Sequence, residues 1–363
     1  MGEAQPRRLG QKGESLKTIL VTGAGGSAAH NFVESLRMAP YKYRIVGTDI
    51  NPYHIHLTKL DAMHIIPDAD SPDYLKRLEE VIESEFVDFV HPQPDMEVSK
   101  IAGARLGATT FLPAKEVVDL THDKMATIKV LSEGGVRTPM SFLVDSEFTV
   151  REFFKGNEGK KSWLRATHGA GSRAALPVTR PEEAIGWIDY WENSKGIGWG
   201  DFMLSEYLPG ADFAWTSLWH EGRLIVSQGR KRLMYLYGFL SPSGTSSTPS
   251  VAVTVNDGRV NDTATKAVQA IDPKPHGVYC VDLKEDSNGA VCVTEINAGR
   301  FFTTSNFYTH AGVNIPYAYL QLGFGFEPPH YEQYDPLPEG LYWVRMVDMG
   351  YRLLTEQELK IGG

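Results

Sequence analysis

The chain has 363 residues, which is enough for two or three domains. Hydrophobic residues make up 42% and charged residues 22%, a mix that is typical of a globular protein. Its 36 basic and 45 acidic side chains give a net charge of −9, so nucleic-acid binding is not expected. No apolar run reaches the length of a membrane span, and the polar start lacks a signal-peptide core. Two cysteines cannot build a disulfide scaffold, and we therefore expect a cytoplasmic protein without a membrane or nucleic-acid partner.

The first part of the chain alternates between strand and helix patterns. A polar stretch over residues 1–16 has no periodicity and is expected to be a disordered tail. Strands are then predicted at 18–21, 44–49, 64–66, 86–90 and 109–112, and helices at 27–38, 72–83 and 96–106. Strands that alternate with helices predict a parallel sheet with helices on both faces, an α/β domain over residues 17–113.

In the second part, strands follow one another with short turns between them. Helices are predicted at 124–133 and 181–193, and strands at 163–165, 174–178, 201–206, 212–220, 223–229, 278–283 and 291–297. An Asn-Gly step joins the last two strands, which is a strong hairpin signal. Consecutive hairpins predict antiparallel sheet, and hence an α+β domain over residues 114–330. A C-terminal tail over residues 331–363 has one predicted strand at 341–346.

A glycine-rich turn follows the first predicted strand. Gly23, Gly25 and Gly26 precede a helix, and Asp49 ends the next strand, as in dinucleotide-binding proteins. However, Ala29 stands where the third glycine of that fingerprint packs closest, and the Tyr-x-x-x-Lys pair of many reductases is absent from the sequence. We therefore favour a tight turn, or a site for a different ligand, over NAD binding.

The predicted hairpin carries oxygen ligands. Glu295 and Asn297 are two residues apart on one strand and so point to the same face, and Asp282 lies near the end of the partner strand. Apolar residues flank all three, which indicates that the carboxylates end buried strands. Two carboxylates and an amide oxygen suit Mg²⁺. The sequence therefore predicts a magnesium site here, provided that the register places Asp282 on the same face.

Two further segments carry cations. A strand that contains Arg165 leads into the loop 166–173, whose glycines would let its backbone approach a phosphate chain. Lys124 opens a predicted helix, capped by Asp123 or Thr121, where a phosphate could meet it. Taken alone, each is a weak signal, because glycine loops are common and an isolated lysine is usually a surface residue.

The strand that ends near Glu206 completes the set. Its backbone could contact an adenine edge, while Glu206 and Asp212 could accept hydrogen bonds from amino and ribose hydroxyl groups. Four motifs therefore follow one another along the chain: the Asp-Lys helix, the arginine with its glycine loop, the Glu-x5-Asp pair, and the Asp…Glu-x-Asn hairpin. In this order and spacing, the chain resembles the ATP-grasp superfamily over about residues 17 to 325. It looks most like the carbamoyl phosphate synthetase large subunit and its short relatives, including amino-acid ligases. The most specific piece is residues 293–300.

The resemblance implies a fold and a set of roles. Residues 17–113 would form a Rossmann-like pre-ATP-grasp domain, and residues 114–330 an ATP-grasp domain with antiparallel sheets and a small lid subdomain at about 135–205. ATP would be bound by Lys124, Arg165, Thr167, His168, Gly169, Gly171, Ser172, Glu206, Leu208 and Asp212. Mg²⁺, for which Mn²⁺ can substitute, would be held by Asp282, Glu295 and Asn297, and the catalytic cations would be Lys124, Arg165 and Arg300.

Two positions depart from the family pattern. Most members have lysine where this chain has Arg165, and one extra residue separates Asn297 from Arg300. Candidate substrate contacts are Arg230 and Arg232 after a predicted strand, and Asp95 at the end of another. The histidines at 54, 56, 168 and 220 show no ligand-like spacing, so the sequence predicts no zinc site.

The resemblance implies an ATP- and Mg²⁺-dependent carboxylate–amine ligase that forms an amide or peptide bond through an acyl phosphate and releases ADP and phosphate. Its partners would be small carboxylates and amines, and a homodimer is compatible with it. Two alternatives stay open. One is a carbamoyl phosphate synthetase-like kinase of carboxylate or carbamate, built on a single ATP-grasp unit. The other is a nucleotide-binding or NAD-dependent protein without ligase chemistry.

Overall fold

The computed structural model describes residues 16–169, 174–246, 248–347 and 351–359. These residues form one four-stranded parallel sheet, one four-stranded antiparallel sheet and one seven-stranded antiparallel sheet. The predicted fold class, an α/β part followed by antiparallel sheets, is confirmed. In the described ranges, every helix is too short or too polar to cross a membrane.

The parallel sheet comes first in the chain. Its strands have the order β3-β2-β1-β4 and are β1 Lys17–Thr22, β2 Tyr43–Asp49, β3 Ala62–Ile65 and β4 Phe89–His91. Its helices are α1 Ser27–Arg37, α2 Tyr74–Ser84 and α3 Asp95–Ile101. Successive residues of β1 serve opposite faces, since Ile19 packs in the cluster of Phe32 from α1, while Leu20 packs with Leu78 from α2. The sheet is thus buried on both faces, as parallel sheets usually are.

Three predicted elements of this part are shorter in the structure. The strand predicted from residue 86 begins at Phe89, because Phe86 adopts a left-handed backbone conformation with φ 52° just after α2. The strand predicted around Thr109 is reduced to a single parallel bridge with Phe89. Helix α3 ends at Ile101, before a turn in which Gly103 has φ 79°.

The small antiparallel sheet follows two helices, α4 Lys115–His122 and α5 Lys124–Glu133. Its strands have the order β5-β8-β6-β7 and are β5 Ser141–Val144, β6 Ser162–Ala166, β7 Leu176–Val178 and β8 Phe202–Glu206. The accompanying helices are α6 Glu147–Lys155 and α7 Pro181–Lys195. Phe154 of α6 and Ile188 of α7 pack on Leu164 and Phe202 of the sheet, which gives this part a core of its own.

The large antiparallel sheet has the order β13-β12-β9-β10-β11-β14-β15. Its strands are β9 Asp212–His220, β10 Arg223–Tyr235, β11 Pro249–Val255, β12 Gly277–Glu285, β13 Val291–Ala298, β14 Leu341–Arg345 and β15 Tyr351–Thr355, and the helices of this part are α8 Gly258–Ile271, α9 Asn306–His310, α10 Ile315–Gly323 and α11 Glu356–Leu359. Along β12, Tyr279, Val281 and Leu283 pack towards α8, whereas Cys280 belongs to the cluster on the opposite face. Asp282 therefore shares the face that α8 leaves open.

The sheet extends beyond the elements that the sequence predicted. Strand β10 continues to Tyr235, beyond its predicted end at residue 229, and β11 begins at Pro249, where no strand was predicted. The C-terminal segment has a second strand, β15, which pairs with β14 where one strand was predicted. Helix α8 was not predicted from the sequence either. Strands β14 and β15 extend the large sheet beyond β11, so the C-terminal residues belong to this sheet.

Candidate active site

A β-bulge positions the oxygen ligands of the hairpin. Asp282 of β12 lies opposite Glu295 of β13, but the next pair is Leu283 with Val293, so Thr294 has no residue opposite it on β12. This extra residue reverses the facing of the strand. Val293 points into the core against α8, and Glu295 two residues later points to the open face with Asp282. The predicted convergence of Asp282, Glu295 and Asn297 on one face is found because of this bulge.

These side chains line a cavity of about 1180 Å³ between the three sheets. All three sheets, or the turns next to them, contribute residues to its wall. The turn after β1 contributes Gly23 and Gly26, the small sheet contributes Trp163 and Arg165, and the large sheet contributes Arg232 and the hairpin. The cavity is therefore large enough for a nucleotide and a second small molecule.

Lys124 and Arg165 converge on Glu295. Nζ of Lys124 lies 3.7 Å from Oε1 of Glu295, and one terminal nitrogen of Arg165 lies 3.7 Å from Oε2. Of the two candidate caps of α5, Asp123 and Thr121, it is Asp123 that accepts from the backbone N–H groups of Met125 and Ala126. Lys124 is 8% exposed and donates to the carbonyl of residue 169 at 2.6 Å, so it is a cavity lysine and not a surface one.

Arg165 is held rigidly beside the bulge. Its Nη2 donates to the backbone carbonyl of Thr294 at 2.8 Å, and the hydroxyl of Thr294 donates to the carbonyl of Asp282 at 3.1 Å. Burial lowers the pKa of Arg165, while Glu295 and Asp282 oppose that shift. An arginine stays charged under these conditions. The cation is thus fixed within the wall and presents its charge to the cavity.

Arg232 links two carboxylates of the cavity. It donates to Oδ1 of Asp282 at 2.5 Å and to Oδ1 of Asp212 at 3.2 Å, and its guanidinium lies 5.3 Å from the ring centre of Phe302. The hydroxyl of Tyr235 donates to the other oxygen of Asp212. Burial and the neighbouring Glu295 raise the pKa of Asp282, against the effect of Arg232. The positive charge of Arg232 thus compensates the two partly buried carboxylates.

Arg300 bridges the hairpin and the first sheet. It donates to both oxygens of Asp95 at the start of α3 and to Oδ1 of Asn297, and all three residues line the cavity. The extra residue between Asn297 and Arg300 therefore does not carry the arginine away from the site. Asp95, expected as a substrate contact, has its carboxylate occupied by Arg300.

The predicted phosphate loop is described in part. His168 and Gly169 line the cavity. Thr167 is buried, and its hydroxyl contacts the carbonyl of Asp201 at 3.1 Å, which places it behind the wall. Gly171 and Ser172, which the resemblance also implies as ATP contacts, lie outside the described residues.

The predicted nucleotide contacts of the large and small sheets also reach the cavity. Glu206 is exposed at the end of β8, Leu208 is buried just after it, and Asp212 begins β9; all three line the wall. Trp163, Tyr207 and Lys284 line it as well, although the sequence analysis did not single them out. Their one signal in the sequence is position, since each lies within two residues of a predicted contact.

Arg230 differs from the expectation of a substrate contact. It is 1% exposed and is absent from the cavity wall, because its guanidinium packs 5.1 Å from the ring centre of Phe302 and 5.7 Å from that of Tyr308. Phe302 stands in the wall instead. Arg230 thus supports the wall from behind, and Arg232 is the arginine of this pair that reaches the cavity.

The glycine turn after β1 has a structural explanation. Gly23 has φ 58°, and a Cβ there would lie 2.4 Å from Cγ of Pro94. Both oxygens of Asp49 are used by backbone groups, one by the N–H of Gly25 at 2.7 Å and the other by that of Asn51 at 2.7 Å. Asp49 therefore fixes the turn through both of its carboxylate oxygens, which agrees with the preference for a turn over NAD binding.

The donor set of the hairpin fits a magnesium ion. Among the described residues, none forms a hydrogen bond with the carboxylate of Glu295, whose nearest cations lie at 3.7 Å. Arg232 donates to only one oxygen of Asp282, so the second oxygen is left for a metal ion. The amide oxygen of Asn297 accepts one hydrogen bond from Arg300 and has a second lone pair for the ion. Two carboxylates and an amide, with cations nearby for phosphate oxygens, match the preference of Mg²⁺.

Comparison with known proteins identifies the fold. No family model and no curated protein matches the sequence. Solved structures do match the fold, among them the biotin carboxylase domain of 2-oxoglutarate carboxylase from Hydrogenobacter thermophilus, in complex with MgADP, ADP and bicarbonate. Its TM-score is 0.69 at 17% identity, over 91% of this chain and 74% of that one.

Two further structures show the same likeness at low identity. N5-carboxyaminoimidazole synthetase from Staphylococcus aureus, complexed with ADP, has a TM-score of 0.66 at 13% identity, over 86% of this chain and 79% of that one. L-amino acid ligase from Bacillus licheniformis has a TM-score of 0.64 at 13% identity, over 91% and 79% of the two chains. These enzymes share the ATP-grasp architecture, and the protein therefore has the ATP-grasp fold.

Proposed function

We propose that the protein is an ATP- and Mg²⁺-dependent carboxylate–amine ligase that works through an acyl phosphate and releases ADP and phosphate. The observation that carries the proposal is the meeting of two largely buried cations, Lys124 and Arg165, with the carboxylates of Glu295 and Asp282 in one cavity. Cations beside a magnesium-type donor set are what the transfer of a phosphoryl group requires.

The reaction would proceed in two displacements. An oxygen of the carboxylate substrate attacks the γ-phosphorus of ATP, the bond to the bridging oxygen breaks, and ADP departs. An amine then attacks the carbonyl carbon of the acyl phosphate, phosphate leaves, and the amine loses a proton. Asp282, Glu295 and Asn297 would hold Mg²⁺, which when bound supplies charge neutralisation for the phosphate oxygens.

The chain's own side chains supply position and charge. Lys124 and Arg165 flank the hairpin on the side of the small sheet and would contact phosphate oxygens. Arg300, on the side of Asp95, would orient the carboxylate substrate and stabilise the departing phosphate. Residues 168 and 169 close the wall near Lys124 and would help to exclude water from the acyl phosphate.

The structural neighbours give this proposal its nucleotide. One is described with MgADP, ADP and bicarbonate, and another with ADP. We infer that this chain uses ATP and Mg²⁺ at the same part of its fold. The neighbours act on different substrates by name, so the acyl and amine substrates of this chain have to be found by experiment.

The test is release of ADP from Mg²⁺-ATP in the presence of pooled small carboxylates, with and without pooled amines. Glu295→Ala provides the negative control, and Glu116→Ala, which removes an exposed glutamate on α4, is the matched control. We expect release that needs one carboxylate pool and Glu295 and that yields an amide. Carbamoyl phosphate as the product would instead indicate the kinase, and ADP formation that ignores all pools would contradict the ligase.

A further inference from the structure

A second cluster of ligand-type side chains lies at the far end of β9. His220 ends this strand, while Asp212 at its other end belongs to the cavity wall, roughly 26 Å away at about 3.3 Å per residue. His276 and Glu221 join His220, and the ligand atoms of the three lie within 4.8 Å of one another. Their spacing in the sequence gave no sign of this, because His276 comes from a distant segment.

Strand register brings the two histidines together. Gly277 of β12 pairs with Trp219 of β9 in an antiparallel ladder, so His276 is placed opposite His220. The ring centres are 5.6 Å apart. Phe111 packs against both rings, with centre distances of 4.2 Å to His276 and 5.9 Å to His220. The imidazoles are thus fixed by sheet geometry and by an aromatic neighbour.

The third member is placed by a tight turn. Glu221 and Gly222 join β9 to β10 and have φ 51° and 84°, the left-handed conformations of a type I′ hairpin turn. The N–H of Gly222 donates to the carbonyl of Pro275 at 2.9 Å, which ties the turn to the segment before β12. Oε1 of Glu221 consequently lies 3.4 Å from Nδ1 of His276.

The chemistry of the cluster favours a metal ion. Nδ1 of His276 makes no hydrogen bond to any described residue, although it is buried. Lys274 pairs with Glu221 in this structure, but both side chains are more than half exposed, and such a pair is readily exchanged.

We propose that His220, Glu221 and His276 form a binding site for a divalent transition metal, with Zn²⁺ as the best-fitting ion. Two imidazoles and one carboxylate are a known ligand set for zinc, which leaves a fourth position for water. The metal would join the β9–β10 turn to the start of β12, next to Phe111. Its role would be to stabilise the fold, and it is separate from the magnesium site of the hairpin.

The experiment is a titration of the full chain with Zn²⁺ against a chromophoric chelator, with excess Mg²⁺ present to occupy the hairpin site. The wild type is compared with His220→Ala/His276→Ala and with Glu221→Gln. The double substitution His54→Ala/His56→Ala removes two exposed histidines from elsewhere on the chain and is the matched control. Thermal unfolding with and without Zn²⁺ gives a second readout that does not depend on activity.

We expect the wild type and the His54/His56 control to take one equivalent of Zn²⁺ from the chelator and to unfold at a higher temperature when it is present. The His220/His276 variant should lose both effects, and Glu221→Gln, which keeps the turn and both rings, should bind at least about tenfold more weakly, the smallest loss usual when a metal site is disturbed. Wild type that takes no Zn²⁺ from the chelator, or a His220/His276 variant that binds it equally well, would overturn the proposal.

Discussion

Arg300 and Asp95 form an ion pair that joins the end of the hairpin to the first helix after β4. Asp95 begins α3 beside the parallel sheet, whereas Arg300 follows β13 of the large sheet. The same guanidinium also donates to Asn297. The orientation of a proposed magnesium ligand and of a proposed catalytic cation therefore depends on a carboxylate from another part of the fold.

Removal of this carboxylate should affect stability and catalysis together. In Asp95→Asn, a largely buried guanidinium loses its charged partner, and we expect a loss of roughly 1.5–3 kcal/mol in the free energy of unfolding. The turnover number for ADP release should fall while KM for ATP changes little, because Lys124 and Arg165 are intact. Urea unfolding and steady-state kinetics measure the two effects.

The matched control for that substitution is Asp119→Asn. Asp119 pairs with Lys115 on the surface of α4, with both side chains nearly half exposed, so its loss should cost less than about 1 kcal/mol. Equal losses in the two variants, or a rise in KM for ATP without a change in turnover, would contradict a positioning role for Asp95.

The residue types that line the cavity were predictable from the sequence, but the alignment of their side chains was not. The types and order of Lys124, Arg165, Asp282 and Glu295 pointed to phosphate and metal binding. The bulge at Thr294 has no sequence signature, yet without it Glu295 would share the face of Val293 and point into the core. A one-residue shift in register decides whether the carboxylates meet, and that depends on the pairing in the folded sheet.

Glu295→Ala should remove most of the ligase turnover and leave the fold intact. Its carboxylate is partly exposed in the cavity and stands between two cations at 3.7 Å, so its loss removes charge at the site and little packing. We expect ADP release to fall by about two to three orders of magnitude, as when one preorganised electrostatic group is removed. Kinetics and thermal unfolding check this, and full activity would contradict the metal assignment.

Arg165→Lys should keep much of the affinity for ATP. The substitution retains the positive charge beside Glu295 but loses the donor that now bonds the carbonyl of Thr294 at 2.8 Å. We expect Kd for ATP to rise about tenfold, which corresponds to one lost hydrogen bond of a charged group. Equilibrium nucleotide binding measures it, and Arg165→Met is the comparison that removes the charge as well. If Arg165→Lys and Arg165→Met bind ATP equally poorly, the affinity for ATP depends on the geometry of the guanidinium group and not on its charge.

Glu97 should make stability depend on pH. Burial raises the pKa of Glu97 in α3 to about 7, although Tyr74 donates to its carboxylate at 2.9 Å. Between about pH 4.5 and 7 the folded chain holds this proton and the unfolded chain does not, so stability decreases as pH rises through this window. Relative to Glu97→Gln, the wild type should lose about 3 kcal/mol between pH 4.5 and 8, measured by urea unfolding. A difference that is constant with pH would contradict this assignment.

Helices and strands with clear periodicity were predicted well, and those defined by tertiary pairing were not. Helix α5 and strand β9 have the predicted bounds. By contrast, β11, which begins at Pro249, was not predicted, because it is a strand through its pairing with β10 and β14 on its two sides. The cluster of His220 and His276 was missed for the same reason, since two strands far apart in sequence create it.

Formation of an acyl phosphate in this cavity can be detected by trapping with hydroxylamine. Hydroxylamine replaces the amine and converts an acyl phosphate into a stable hydroxamate. We expect hydroxamate that requires Mg²⁺-ATP, one carboxylate pool and Glu295, in amounts equal to the ADP released. Substrate-dependent ADP release without any hydroxamate, or hydroxamate formation that persists in Glu295→Ala, would contradict it.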